Sequence, residues 1–386
     1  MKRLTMATSI LFALISNSGE GLASDSPLNL GPEELVRADG MDITVPGYSV
    51  PSFEDWNGDN LKDLIIGEGE GFGDAKVRVY INIGTESDPQ FSDYFYAQSN
   101  GTDLTCPASG CMGCFPRPLY WDADARKDLL IGQADGTVKI FFNTGIIEEP
   151  TFDGGRNVQV DSPAANLAVV GRATPAFLDW NNDRKTDLVV GALDGRIHIY
   201  LNCGCGGAVP PSFNTSTTAG IFVLEDGMDL VVPSKRSSPQ ILDLDGDGKK
   251  DILTGNTDGQ LLFYRNVGTD AEPVFSGYSP MTSDGVPIDL PGSPRSRPFV
   301  CYWTGDGYPD VLIGAGDGKI HLYRGIPTPG DLDTDGDVDF TDFAVFAACW
   351  HYSGDEKCSF ADLTGDGKVD IDDLYVLAAN WPAGDK

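Results

Sequence analysis

Aspartates recur along this chain at alternate positions, in runs such as DLDGDGKKD (Asp243 to Asp251) and DLDTDGDVDFTD (Asp331 to Asp342). Carboxylates spaced by two on a tight, Gly-containing turn converge on one point. An acidic, oxygen-only and flexible ligand set is what a calcium ion takes. The chain has no serine-nucleophile motif, zinc signature or phosphate loop, so cation binding is the chemistry these residues offer. The residues downstream of each run tell the two apart. ILTGN, after Asp251, starts β-branched and stops at Gly, and reads as a strand. FAVFAACW, after Asp342, sets Phe343, Phe346 and Trp350 at i, i+3, i+7, one face of a helix. Counted from Asp243 the twelfth residue is Thr254, inside the strand, so that loop closes at its ninth residue; the loop at Asp331 closes at its twelfth, Asp342.

The strand-type loop is one of five. FEDWNGDNLKDLIIG, LYWDADARKDLLIG, FLDWNNDRKTDLVVG, ILDLDGDGKKDILTG and CYWTGDGYPDVLIG share a pattern, with first loop positions Asp55, Tyr120, Asp179, Asp243 and Tyr302 spaced by 65, 59, 64 and 59 residues. Each is followed by a second apolar run (VRVYIN, VKIFFN, IHIYLN, LLFYRN, IHLYRG), and most then by a turn and PxF. Four short strands in roughly 60 residues, separated by turn signals, make a propeller blade. The fifth unit lacks its outer PxF strand, and the segment PLNLGPEELVRADG before the first unit can supply it, which removes an open sheet edge. An open solenoid would need caps that the sequence lacks.

The five units, Asp25 to about Gly325, resemble FG-GAP/VCBS-type repeats, the blades of integrin-like propellers. In that family positions 1, 3, 5 and 9 and the carbonyl of position 7 hold calcium. The resemblance therefore implies ligands Asp55, Asn57, Asp59, Leu61 and Asp63 in unit one, and Asp179, Asn181, Asp183, Lys185 and Asp187 in unit three. In unit four it implies Asp243, Asp245, Asp247, Lys249 and Asp251. Unit two has Tyr120 at position 1 but keeps Asp122, Asp124 and Asp128; unit five has Tyr302 and Thr304 and keeps Asp306 and Asp310. Those two loops read as plain turns as readily as sites.

After a Pro-rich linker, IPTPG, the second loop type appears twice. Asp331, Asp333, Asp335, Asp337 (by its carbonyl) and Asp342 occupy EF-hand positions, with Asp339 at the ninth; Asp362, Thr364, Asp366, Lys368 (by its carbonyl) and Asp373 repeat the register 31 residues on, with Asp370 at the ninth. Val338 and Val369 fill the apolar eighth position. Leu374, Leu377 and Trp381 mark a second helical face. This paired loop–helix module resembles a type I dockerin, the calcium-dependent plug that docks onto cohesins. The resemblance implies calcium as cofactor and a cohesin-like partner. Phe340-Thr341 and Ile371-Asp372 stand where the family often has its Ser-Thr recognition pair, a departure that bears on the partner rather than on the fold. A calcium-stapled cap folded onto the propeller is the competing reading.

Lys2 and Arg3, the apolar Leu4 to Ile15 and the small residues Gly21-Leu22-Ala23 form a secretory signal, with cleavage after Ala23. Without it the chain carries 25 basic and 57 acidic residues, a net charge of −32. That excludes nucleic acid and anionic lipid as partners on electrostatic grounds, and no later run is long enough to span a membrane. Eight cysteines in an exported chain read first as disulfides; Cys349 and Cys358 bracket the bend between the C-terminal halves and suit one, with further local pairs and one or two free thiols. His198 and His321 share one strand position in two units and read as framework, and His351 sits just past a helix.

The expectation is a mainly β protein: signal peptide 1–23, five-bladed propeller 24–325, linker 326–330 and a small α-helical dockerin-like module 331–386. Its function reads as recognition or scaffolding, with a carbohydrate or protein on the propeller and an extracellular or cell-surface assembly at the other end. A propeller-type glycoside hydrolase or polysaccharide lyase, whose paired carboxylates the repeat does not single out, is one alternative. A self-assembling surface or matrix protein is the other.

Overall fold

The computed structural model describes residues 26–69, 72–109, 113–161, 164–204, 210–213, 219–290, 292, 295–333, 338–352 and 356–381. The expected signal peptide, Asp335, Asp337, Cys111 and Cys205 lie outside the described residues. Within them the fold is mainly β, with two short α-helices, Phe340–Ala348 and Ile371–Ala379, and a 3-10 helix, Glu356–Ala361. No helix among the described residues is long and apolar enough to cross a membrane.

Each of the five sequence units forms an antiparallel sheet. The first strands are Val50–Glu54, Phe115–Leu119, Thr174–Leu178, Ser238–Leu242 and Arg297–Cys301. Each pairs with the apolar strand after its acidic loop: Asp63–Gly67, Asp128–Gly132, Asp187–Gly191, Asp251–Gly255 and Asp310–Gly314. Those second strands are buried along their whole length. Third strands come next, at Phe72–Tyr80, Val138–Phe141, Ile197–Tyr200, Leu261–Tyr264 and Ile320–Gly325. Every first strand has Pro at its second position, tolerated because a sheet-edge strand can dispense with one N–H.

The fourth strand extends past the PxF motif at which the sequence placed it. The Phe of each PxF (Phe91, Phe152, Phe213, Phe275) is buried at the end of the turn, and the strand that joins the sheet begins after it, at Tyr94–Tyr96, Arg156–Asn157, Ile221–Phe222 and Ser279–Pro280. The aromatic ring is core, and the residue before it already accepts from the segment past the third strand: Gln90 from Ile83 (2.9 Å), Thr151 from Thr144 (2.8 Å), Ser212 from Cys203 (2.9 Å) and Val274 from Val267 (3.0 Å). In unit five the fourth strand is Leu30–Leu35, from the N-terminal segment, paired antiparallel to the third.

Neighbouring units bury a shared core. Five hydrophobic clusters join units one and two, two and three, three and four, four and five, and five and one. The first strand of unit one touches those of both unit two and unit five. The glycine ending each second strand shows why the packing repeats. A Cβ on Gly67, Gly132, Gly191, Gly255 or Gly314 would lie 2.0–2.5 Å from the carbonyl oxygen of Cys114, Ala173, Ser237, Ser296 or Ser49, always in the following unit and, for Gly314, in unit one. Only a residue without a side chain lets these backbones approach so closely.

Small hairpins between units, such as Gln98–Ser99 with Thr102–Asp103 and Leu224–Glu225 with Met228–Asp229, turn on Asn-Gly or Asp-Gly at positive φ. Disulfides join Cys106 to Cys114 and, as the spacing suggested, Cys349 to Cys358. Cys203 is also disulfide-bonded, and Cys301 is a buried free thiol. The C-terminal segment has its own core, in which Val338, Phe343, Phe346, Val369, Leu374 and Leu377 are buried.

Candidate metal centres

The acidic loops of units one, three and four fold alike. The first-position carboxylate gathers backbone N–H groups of its own loop: Asp55 accepts from Gly58 and Asn60 (2.7 and 3.1 Å), Asp179 from Asp183 and Arg184 (3.1 and 2.7 Å), and Asp243 from Gly248 (2.8 Å). The fifth-position carboxylate accepts from the seventh residue: Asp59 from Leu61 (2.8 Å), Asp183 from Lys185 (2.9 Å) and Asp247 from Lys249 (3.0 Å). In unit four the carboxylates of Asp243, Asp245 and Asp247 bring oxygens within 4.8 Å of one another. Such a set of like charges needs a counter-ion. Arg265 supplies part of it, 2.5 Å from Asp245, and Lys249 pairs with Asp247 at 2.8 Å. In units one and three the third-position donor is an amide: Asn57 accepts from Asp59 (3.1 Å) and Asn181 from Asp183 (3.2 Å).

The ninth-position aspartate has a second task that its spacing does not reveal. Asp63, Asp187, Asp251 and Asp310 are fully buried and Asp128 nearly so. One oxygen of Asp63 accepts from Trp56 N–H and the other from Asn82 N–H, both at 2.8 Å. Asp187 does the same with Trp180 and Asn202, Asp251 with Leu244 and Asn266, and Asp310 with Trp303 and Gly325. Asp128 accepts from Asn143 at 2.8 Å. Each ties the loop to the end of the third strand. The asparagine there continues the chain of bonds: the side-chain oxygen of Asn82 accepts from Gly84 and Gln90 (2.9 and 3.1 Å), shaping the next turn. Burial pushes Asp63, Asp128, Asp187 and Asp310 up to about 6 and Asp251 up to about 7. A cation in the loop would favour their charged form. Units two and five keep this aspartate although Tyr120 and Tyr302, 57% and 56% exposed, stand where a first ligand would be.

In the C-terminal segment Asp342 and Asp373, both fully buried, stand in the first turn of their helices. Asp342 accepts from Leu332 and Asp333 N–H on one oxygen (2.6 and 3.1 Å) and from Asp339 N–H on the other (2.7 Å). Asp373 accepts from Thr364 N–H and Oγ1 (2.9 and 3.0 Å) and from Asp370 N–H (2.8 Å). Asp339 and Asp370 cap the helices in return, accepting from Thr341 (2.5 Å) and Asp372 (3.0 Å). Asp331, Asp333 and Asp342 bring carboxylate oxygens within 4.8 Å of one another. In the second loop Asp362 accepts from Asp366 and Gly367 (3.1 and 2.7 Å), Asp366 accepts from Lys368 (2.9 Å), and Thr364 contributes a hydroxyl. Oxygen-only donors, without His or Cys, suit a hard cation such as calcium.

A cleft of about 760 Å³ lies between units one and five and includes Glu33, Glu34, Asp39, Trp303 and Arg324 in its wall. Two of its carboxylates are engaged: Glu33 with buried His321 at 2.6 Å and Glu34 with Arg324 at 2.9 Å. His198 stacks edge-on against Phe222, and its Nδ1 lies 2.9 Å from the Ala219 carbonyl; burial lowers its pKa.

Residues 329–380 match the Dockerin type I domain. The match begins two residues before Asp331 and spans both loop–helix halves. The dockerin-type module thus carries the loops closed at the twelfth position, and the remainder of the chain carries those closed at the ninth. No curated protein matches the chain. Among solved structures it is similar to BBS1N in complex with ARL6DN (12% identity, 78% of this chain and 98% of that one, TM-score 0.36). Others are the Photorhabdus luminescens Tc holotoxin pore (14%, 77% and 14%, TM-score 0.34) and the Dos1 propeller (10%, 71% and 53%, TM-score 0.28).

Proposed function

We propose that this protein is an exported recognition or scaffold component. On this reading residues 24–325 form a five-bladed FG-GAP/VCBS-like propeller loaded with calcium, and the dockerin-type module plugs it into a cohesin-bearing assembly. The match of residues 329–380, with both twelfth-position aspartates holding their loops, carries the docking half. The order in which cores and glycines pair successive units, with unit five returning to unit one, supports the propeller. Dockerin domains bind calcium in general, and here Asp331, Asp333, Asp335, Asp337, Asp342, Asp362, Thr364, Asp366, Lys368 and Asp373 would hold it. In the propeller the complete loops of units one, three and four would hold one ion each, with the ninth aspartate serving both metal and sheet. The bound ion neutralises clustered carboxylates and fixes the loop; the chain's own residues supply the fold around it.

The test is binding of the full chain to immobilised cohesin domains. Capture in calcium, release by EGTA and loss in Asp373→Ala support the reading; capture that ignores calcium removes it. Retention on a polysaccharide panel without product release separates recognition from hydrolysis or lyase action.

A further inference from the structure

The eighth residue of each acidic loop, just before the ninth-position aspartate, is Lys62, Lys127, Thr186, Lys250 and Pro309 in units one to five. Two of these lysines reach back to the loop of the preceding unit. Lys127 Nζ donates to the Asp55 carbonyl of unit one, and Lys250 Nζ donates to the Asn182 side-chain oxygen of unit three. Lys62 pairs instead with Glu54 of its own unit at 3.1 Å. The turn after each third strand also lies against the loop before it, at the fourth loop position. A Cβ on Gly58 would lie 2.4 Å from Ile147, one on Gly305 would lie 3.1 Å from Glu86, and Asn182 Nδ2 donates to Asp270 at 2.8 Å. The pattern stops after unit four, because the chain leaves unit five for the linker where that turn would come. A Cβ on Gly246 would meet nothing within 4 Å.

Of the three loops with a full set of candidate ligands, only those of units three and four are neighbours. Asp270 is the centre of their joint. One of its oxygens accepts from Lys250 N–H at 2.7 Å, and the other accepts from Lys250 Nζ and from Asn182 Nδ2, both at 2.8 Å. Three donors on a side chain only 9% exposed fix the carboxylate in place. Asn182 stands between the candidate ligands Asn181 and Asp183 at φ 58°, and its amide gives both its oxygen and its nitrogen to unit four. Lys250 immediately precedes Asp251. The backbone of one loop is thus tied to that of the other through an amide, a carboxylate and an ammonium. Lys250 and Asp270 cancel in charge, so the joint places no net charge beside either loop. The unit one loop is tied by Lys127 to unit two, which has Tyr120 where a first ligand would be.

We propose that the loops of units three and four take their cations as a coupled pair, while the unit one loop binds alone. This rests on the reading of these loops as calcium sites. Without a cation the carboxylates of either loop repel one another, and the loop must be ordered when the ion enters. An ion in the unit three loop fixes Asn182 between its two ligands. The fixed amide holds Asp270 and the Lys250 side chain, and Asp270 holds the Lys250 N–H beside Asp251. Part of the ordering of the unit four loop is then complete before its own ion arrives. Such coupling is reciprocal: each ion raises the affinity for the other by one factor, typically about 5–150-fold. Lys250 and Asp270 are the positioning residues that carry it.

The experiment is hydrogen exchange of the full chain across a series of buffered free-calcium concentrations, read separately in residues 55–63, 179–187 and 243–251. Asp179→Asn removes the charge of the first ligand in unit three and keeps its size. It raises the calcium midpoint of 243–251 at least about fivefold. Asp243→Asn raises the midpoint of 179–187 by the same factor, and neither variant moves the midpoint of 55–63. In a Lys250→Met or an Asp270→Ala background the cross-shifts vanish. Each shift is measured within one background, so any change that these two variants make to a loop's own affinity drops out. A cross-shift of less than about twofold in the otherwise wild-type chain overturns the proposal. So do unequal shifts in the two directions, an equal shift in 55–63, or a cross-shift that survives both backgrounds. Calcium-dependent protection without cross-shifts removes the coupling and leaves the calcium reading standing; no calcium-dependent protection in any of the three loops removes both.

Discussion

Asp251 and Asp342 close acidic loops of similar composition, yet they are held by different parts of the chain. Asp251 starts a buried strand and accepts one N–H from its own loop, at Leu244, and one from beyond the third strand, at Asn266. Asp342 accepts three, from Leu332, Asp333 and Asp339, all within its own loop. The first carboxylate stitches loop to sheet, so the sheet keeps the loop in place. The second stitches loop to helix, and behind it, among the described residues, stand nine buried core residues braced by one disulfide. Loops of one composition thus become a local fitting on a large β scaffold and a foundation in a small helical module.

The sharpest way to break this contrast is to remove the twelfth ligand. Asp342→Ala frees three backbone N–H groups near or inside a small core, each costing about 1–3 kcal/mol if left unpaired. Hydrogen exchange in residues 338–352 and 356–381 should accelerate together, with loss of calcium-dependent capture. Residues of the β units should keep wild-type protection. Acceleration throughout the chain would show instead that the module folds onto the β units as a cap.

Calcium removal tests the same difference without mutation. Binding to the folded state alone adds about 2.7 kcal/mol per site at 100 times Kd. EGTA should lower the melting temperature of both regions, and lower it more for the dockerin-type module. An unchanged Tm for both would exclude structural calcium at either loop type.

A pair of ninth-position variants separates metal from staple. Asp251→Ala and Asp310→Ala each unpair two buried N–H groups, a loss of roughly 2–6 kcal/mol in either unit. Only Asp251→Ala should also shrink the stabilisation that calcium confers, because unit five has Tyr302 and Thr304 at its first and third positions. Denaturant titrations with and without calcium read this directly. Equal calcium dependence would mean that the ninth aspartate serves the sheet alone.

The sequence made the unit repeat, the loop-then-strand against loop-then-helix distinction, the N-terminal strand in unit five and the Cys349–Cys358 bridge legible. These rest on local signals: periodicity, a Gly stop, a missing strand at one end and a spare at the other. The staple was not legible, because Asp63 and Asp128 look like ligands whether or not a metal is present; its signal was Asp128 and Asp310 persisting where first ligands are gone. The PxF motif located the start of the outer pairing but not its length, because proline and a buried ring say nothing of the residues that carry the ladder on beyond them.

The smallest effect sharpens the comparison most. Unit two has Asp122, Asp124 and Asp128 in place, with Arg126 at the carbonyl position, and lacks only the first ligand. Its first position is Tyr120, whose ring is exposed, so Tyr120→Asp removes little buried surface and should change calcium-free stability by less than about 0.5 kcal/mol. The folded loop already has the required turn: Asp124 N–H donates to Asp122 at 3.0 Å, and Arg126 N–H to Asp124 at 3.0 Å. A fourth carboxylate on that frame should create one further calcium site, counted as one more ion per chain by calorimetry. Its affinity should be of the order of unit four's, where Lys249 pairs with Asp247 as Arg126 does with Asp124 and must likewise yield. If stoichiometry stays unchanged, the first-position carboxylate does not decide whether these loops take metal, and the three complete loops owe their form to hydrogen bonds alone.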